Sequence, residues 1–369
     1  MDTAKLLMLA GTGLSVASLL LILVWVSSDQ YKYRKLIAVT LFLTFDLIMF
    51  GAFTRLTDSG LGCPDWPGCY AQANPFQAHA EIKAAEALMP TGPVTPQKAW
   101  IEMIHRYLAM AVGVLIVAQM LLAWWQRKKI HGSPWLPTFL FLFVCLQGAF
   151  GAWTVTQKLQ PVIVSTHLLL GMALLGLLAW LSAQQSPHQL TADSARRLVM
   201  PATIALLLLV LQIALGGWVS TNYAALACSD FPLCQGQLLP EMDFANGFTL
   251  WRHLGKTASG DYLPFPALTA IHWLHRSFAL VVIAVVAWVA HQALKTAGLR
   301  HLGRWLLIVL ALQFVTGVST IFLRWPLAIA VAHNGGAALL VLLLSMVNYR
   351  AKFSVATAPD LSGAQRLPA

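Results

Sequence analysis

The sequence predicts an all-α polytopic membrane protein: two homologous four-helix bundles related by a pseudo-two-fold along the membrane normal, preceded by one extra transmembrane helix. Three observations predict it. Of 369 residues, 58% are apolar and only 10% charged, which leaves too little polar surface to solvate a water-soluble fold. The apolar residues gather into nine runs of about 20, the length that crosses a hydrocarbon core of roughly 30 Å. Motifs of the first half also recur in the second at a nearly constant offset.

The first run, 5–27, is long and is followed by no small-residue cleavage pattern before Tyr31, so it reads as a retained span and not a signal peptide. No Arg-rich amphipathic leader precedes it, which favours a bacterial inner membrane over an organelle. Runs at 36–54, 100–124, 135–154 and 162–183 form the first bundle, and runs at 199–220, 268–292, 305–323 and 327–348 the second. The expected divisions are therefore 1–35 (extra helix and link), 36–183 (first bundle), 184–198 (linker), 199–348 (second bundle) and 349–369 (tail).

A formal charge of +10 raises the question of nucleic acid, but the basic residues sit at the ends of spans. Lys32, Arg34 and Lys35, Arg127 to Lys129, Arg196 and Arg197, Lys295, Arg300 and Arg304, and Arg350 and Lys352 mark alternate ends, which the positive-inside rule makes cytoplasmic. The charge reports topology, and the expected surroundings are lipid, with no nucleic acid. The polar segments 55–99 and 221–267 then lie on the outer, periplasmic side.

Four of the five cysteines form the close pairs Cys63/Cys69 and Cys228/Cys234 in those outer segments. An oxidising compartment and a spacing that lets the chain double back point to two disulfides; a zinc site would need the opposite topology and tighter spacing. Cys145 lies within an apolar run and reads as packing.

The two outer segments match one another. "GLGCPDWPGCYAQ" (60–72) aligns with "ALACSDFPLCQGQ" (225–237), "IEMIHR" (101–106) with "IHWLHR" (271–276), Gln147 and Gly151 with Gln313 and Gly317, and His167 with His333. Each half has an even number of spans, so the halves are parallel repeats. A four-helix bundle commonly holds a cofactor between side chains of facing helices.

Each half places one histidine on its second helix, His105 or His275, and one on its fourth, His167 or His333, at similar depth near the outer side. Two readings stand: hydrogen bonds between helices, or pairs of axial ligands to two haem irons. Arg106 and Arg276, next along their helices, are placed to reach haem carboxylates or to snorkel to headgroups. Glu102 lies one helical turn from His105, on its face; the other half has His272 there. Such a carboxylate could accept a proton beside a haem, or cap a helix start.

"FTRLTDSGLGCPDWPGC", Glu-x-x-His-Arg at 102–106, the second cysteine pair and the four histidines together closely resemble the haem A synthase family, in its bacterial form with cysteine pairs in the outer loops. The resemblance covers about 36–348. It implies haem b held by His275 and His333 as resident cofactor, haem O bound as substrate through His105 and His167, and Glu102 as the catalytic carboxylate. It also implies oxidation of the porphyrin C8 methyl to a formyl, giving haem A for cytochrome c oxidase. Haem O synthase and the oxidase are the partners it suggests; a second copy of the chain is a further candidate partner that the resemblance does not specify. An iron with two His ligands has no vacant position for O₂, so a formyl oxygen derived from water is expected. The competing reading is a bis-histidine di-haem b electron-transfer cytochrome, which leaves the difference between Glu102 and His272 unexplained.

Overall fold

The computed structural model describes residues 2–28, 31–186 and 192–353. Nine of its helices are long and apolar enough to cross a membrane among the described residues: α1 (Thr3–Val26), α2 (Lys32–Leu56), α4 (Pro96–Trp125), α5 (Trp135–Thr156), α6 (Pro161–Gln184), α7 (Ala192–Thr221), α9 (Phe265–Lys295), α10 (Arg300–Phe322) and α11 (Leu327–Lys352). Two short helices, α3 (His79–Leu88) and α8 (Phe244–Gly247), lie in the long loops. The chain is thus a multi-pass, all-helical membrane protein, as expected. Much of the predicted linker, 187–191, and of the tail, 354–369, lies outside the described residues.

The spans run past their hydropathy limits. α4 begins at Pro96 and α9 ends at Lys295, because backbone hydrogen bonding continues into polar flanks that hydropathy scores as loop. Helix starts are set by local chemistry. Thr95 Oγ1 accepts a hydrogen bond from Lys98 N at 3.2 Å, with Pro96 directly after it, which satisfies one of the free N–H groups of the first turn.

Each half repeats one order: a helix, a disulfide-bearing loop, then three helices. α2 and α6 flank α4 and α5 in the first; α7 and α11 flank α9 and α10 in the second. The largest apolar core joins α7, α9, α10 and α11 but also takes Met172 and Leu175 from α6 and packs Leu41, Phe45 and Ile48 from α2 against it. The halves therefore share one core. At the outer end, Arg55 crosses between them, donating to Ser220 O at 2.7 Å and Tyr223 Oη at 3.2 Å, while Tyr223 Oη donates to Asp58 at 2.6 Å. α1 packs along α4, with Gly13 against Met110.

Candidate functional site

Both outer loops are built in the same way. Disulfides join Cys63 to Cys69 and Cys228 to Cys234, with Cα separations of 4.9 and 4.7 Å. Asp65 accepts from the N–H groups of Tyr70 and Ala71, both at 2.6 Å; Asp230 does the same with Gln235 and Gly236, at 2.7 and 2.9 Å. All four of those residues have positive φ, so the aspartates fix a left-handed turn that a residue with Cβ otherwise resists. The Gly236 N–H, aided by that of Gln235, holds the Asp230 carboxyl below its usual range.

The Glu-x-x-His-Arg segment on α4 and the His-x-x-His-Arg segment on α9 then clamp these loops. Glu102 Oε2 accepts from Cys63 N at 2.8 Å, and His272 Nδ1 accepts from Cys228 N at 3.2 Å. Arg106 Nη1 donates to the carbonyls of Asp65 (3.0 Å), Pro67 (3.2 Å) and Gly68. Arg276 Nη2 donates to the equivalent carbonyls of Pro232 (3.2 Å) and Leu233 (3.0 Å). The halves diverge in what remains. Arg106 Nη2 pairs with Glu102 Oε1 at 2.5 Å, both residues buried. Arg276 faces no carboxylate at 272, and its buried Nη1 has no hydrogen-bond partner among the described residues.

The four histidines occupy repeated seats. Each ring lies against a glycine of a neighbouring helix: His105 on Gly51 of α2, His167 on Gly151 of α5, His275 on Gly216 of α7 and His333 on Gly317 of α10. A Cβ at those glycines would come within 3.0, 3.2, 2.9 and 3.0 Å of the respective rings, closer than ordinary van der Waals contact. Any Cβ there would force the ring to give by a few tenths of an ångström, most at Gly216. His105 lies close enough to His167 to interact electrostatically, and His275 to His333. All four rings are half-buried. Gln147 Nε2 donates to His167 O at 3.0 Å, Gln212 Nε2 to His275 O at 3.0 Å, and Gln313 Nε2 lies 3.3 Å from His333 Nε2. His167 Nδ1 is buried with no partner among the described residues.

This donor set fits haem. Two imidazoles per half approach one another, three or more His, Cys, Asp or Glu side chains gather nowhere among the described residues as a metal cluster would require, and each half keeps an unpartnered buried nitrogen. A separate pocket of about 270 Å³ lies at the end of the molecule that carries the first disulfide loop, lined by Thr57, Ser59, Gly92, Thr95, Lys98 and Ile101. It borders α4 next to Glu102, and none of the four histidines lines it. Sequence reading singled out the histidines, Glu102 and the cysteines; it matched the loop aspartates between the repeats without a role, and gave none to Gly51, Gly216, Gln212 or Arg55. The repeat alignment carried a signal for the aspartates and for the glycine pair 51/216.

Comparison with known proteins agrees with this architecture. Residues 34–345 match the cytochrome oxidase assembly protein family COX15-CtaA. The chain is 41% identical to a haem A synthase of Shewanella oneidensis over 318 residues, covering 85% of this chain and 95% of the relative. It is 28% identical to one of Sinorhizobium medicae over 343 residues, covering 87% and 90%, and 27% identical to one of Nitrosospira multiformis over 353 residues, covering 88% and 95%. α1 falls before the matched region, which begins at the start of the duplicated unit. On its sequence and on this match across both repeats, the chain belongs to the COX15-CtaA family of cytochrome oxidase assembly proteins.

Proposed function

We propose that the chain is a haem A synthase of a bacterial inner membrane, an oxidoreductase that converts the C8 methyl of haem O to the formyl of haem A on the periplasmic side. The observation that carries the division of labour is the one place where the repeats part. The same glycine-seated histidine pairs recur in both halves, but only the first sets a carboxylate beside them, at Glu102. In this reading 36–183 is the substrate half and 199–348 the resident-haem half, related by a pseudo-two-fold along the membrane normal.

His275 and His333 would hold haem b, whose bound iron supplies one-electron chemistry. The free Nη1 of Arg276 suits a haem carboxylate, since nothing else claims it. His105 and His167 would hold haem O as substrate. Arg106 differs from Arg276 in that its fork is committed to Glu102 and the 65–68 loop, so it orients Glu102.

Glu102 keeps limited freedom. A carboxylate offers about four lone-pair sites; Arg106 occupies one on Oε1, and the Cys63 and Gly62 N–H groups engage the carboxylate further. With three of the four sites engaged, one remains to orient a water and take its proton. Turning a methyl into a formyl with water as oxygen source releases four protons and four electrons, and the electrons would leave one at a time to an external electron acceptor, for which the resident haem b would be the one-electron relay. Glu102 would receive those protons in turn, and the pocket lined by Ile101 and Lys98, neighbours of Glu102 on α4, would be their way out.

Haem extraction with chromatography tests the assignment. Haem b accompanied by haem O or haem A is expected; haem b alone would make the chain a di-haem electron-transfer cytochrome. Turnover in ¹⁸O-labelled water should label the formyl, and a formyl oxygen taken from O₂ would overturn the water route.

A further inference from the structure

The helix that precedes the duplicated unit packs on the first half, along α4 and α2, and one of its ends meets the disulfide loop beside Glu102. Along α1, Leu9, Gly13, Ala17 and Val24 are buried and share one face. Gly13 lets that face close on α4, since a Cβ there would come within 2.7 Å of Met110 Cβ. Leu9 joins the buried cluster of Cys63, Cys69, Ala99, Met103 and Tyr107, against which Met110 also packs. Next to it, Met8 Sδ accepts from Gln77 Nε2 at 3.2 Å. Gln77 Oε1 in turn accepts from Ala73 N at 3.3 Å, and Ala73 O accepts from Tyr107 Oη at 2.9 Å. One chain of contacts therefore runs from α1 through the first loop to α4.

The second half fixes its loop with groups that the first half lacks. Trp218 Nε1 donates to Gly247 O and Trp273 Nε1 to Leu238 O, both at 2.8 Å, and Arg252 Nη2 donates to Asn222 Oδ1 at 2.6 Å. The repeat offsets put Phe53 and Met103 where the two indoles stand, and neither side chain has an N–H to donate. Met103 instead lies in the cluster that Leu9 completes, while the cluster of Trp218 and Ile271 contains no residue of α1. What the second loop receives from its indoles, the first receives from α1.

We propose that α1 is a positioning element for the substrate half: through Leu9 and Met8 it holds the 63–78 loop on α4, and so keeps Glu102 in place. This rests on Glu102 being the catalytic carboxylate. Glu102 accepts from Cys63 N at 2.8 Å, and its partner Arg106 is held by the carbonyls of Asp65, Pro67 and Gly68. A loop that lifts off α4 breaks all of these together. The histidines assigned to haem b lie on α9 and α11, outside this cluster.

The test uses purified full-length protein carrying its resident haem. Both disulfides are buried, so their reduction by a water-soluble phosphine reports loop opening. In Leu9→Ala, Cys63–Cys69 should be reduced about tenfold or more faster than in the wild type, with Cys228–Cys234 unchanged. The kcat for haem O should fall about tenfold, with KM and haem b content unchanged. Leu9→Met, which conserves volume, should restore both readouts, and Leu19→Ala on the exposed face of α1 should alter neither. A first disulfide no more reducible than in the wild type, equal acceleration at both disulfides, or faster reduction with wild-type kcat overturns the proposal. Should Leu9→Ala lose haem b, Met8→Leu, which removes only the sulfur acceptor of Gln77, decides by the same readouts. Glu102→Gln protein with wild-type turnover sinks the reading of Glu102 itself, a result distinct from any difference between the two disulfides.

Discussion

Glu102 serves two demands with one carboxylate. It ties the Cys63 loop to α4 and it pairs with Arg106, both in a buried setting where an unmet charge is costly. Glu102→Gln keeps the shape and an acceptor for Cys63 N but removes the charge. Because Arg106 still has three loop carbonyls, the expected loss of stability is modest, about 1–3 kcal/mol. Conversion of haem O should fall by about 10²–10⁴ with both haem sites filled, as loss of a general base predicts. Haem content and product measured on the same sample separate the two effects. Near wild-type turnover would reduce Glu102 to a loop anchor. Helical spacing alone puts Glu102 one turn from His105 on α4, so that relation was legible in the sequence. Its contacts with Cys63 and, through Arg106, with Asp65 to Gly68 join distant parts of the chain and were not legible from one helix.

At the scale of the helix and its loop, the glycines set the imidazoles. Gly216→Ala would bring a methyl within 2.9 Å of His275, and Gly317→Ala one within 3.0 Å of His333. Each should shift the haem b absorption bands and weaken retention, with an overpacking cost of about 1–3 kcal/mol. Gly11→Ala on α1, where an added Cβ meets nothing within 4 Å, should be silent in both readouts. Nine runs of hydropathy were enough to find the spans, because lipid demands apolar length. Which glycine faces which histidine depends on how helices pack, so a single sequence showed Gly151 and Gly317 only as matched positions. The loops make a pH prediction of known sign. The Asp230 carboxyl is depressed by the Gly236 N–H, so its hold on the 228–237 turn is complete above the ordinary carboxylate range near 4 and is lost as pH falls through its lower folded value. Asp230→Asn should hasten phosphine reduction of Cys228–Cys234 at neutral pH, and the ratio to wild type should return to one in acid. A ratio independent of pH would mean that Asp230 acts by shape alone.

Across the whole molecule, the shared core decides whether the halves can fail separately. The repeat alignment divides the chain into two homologous four-helix units, and Met172 and Leu175 of α6 belong to the core of α7 and α9 to α11, while Arg55 ties α2 to the end of α7. Alignment could not foresee this, since packing between repeats leaves no period in the sequence. The resident haem should therefore stabilise the half that does not bind it. A ligand at 1,000 times its Kd stabilises the folded state by about 4 kcal/mol, and His275→Ala or His333→Ala removes that contribution. Both variants should lose haem b and melt at lower temperature in one transition. Limited proteolysis can locate the loss: cleavage in the first-half loop 73–95 should accelerate alongside cleavage in the second-half loop 238–264. His105→Ala gives the contrast, because it removes a substrate ligand and leaves haem b in place, so resting stability should change little. If His275→Ala exposes only the second loop while the first half keeps its protease resistance, the core at α6 does not couple the halves and they are separate domains after all.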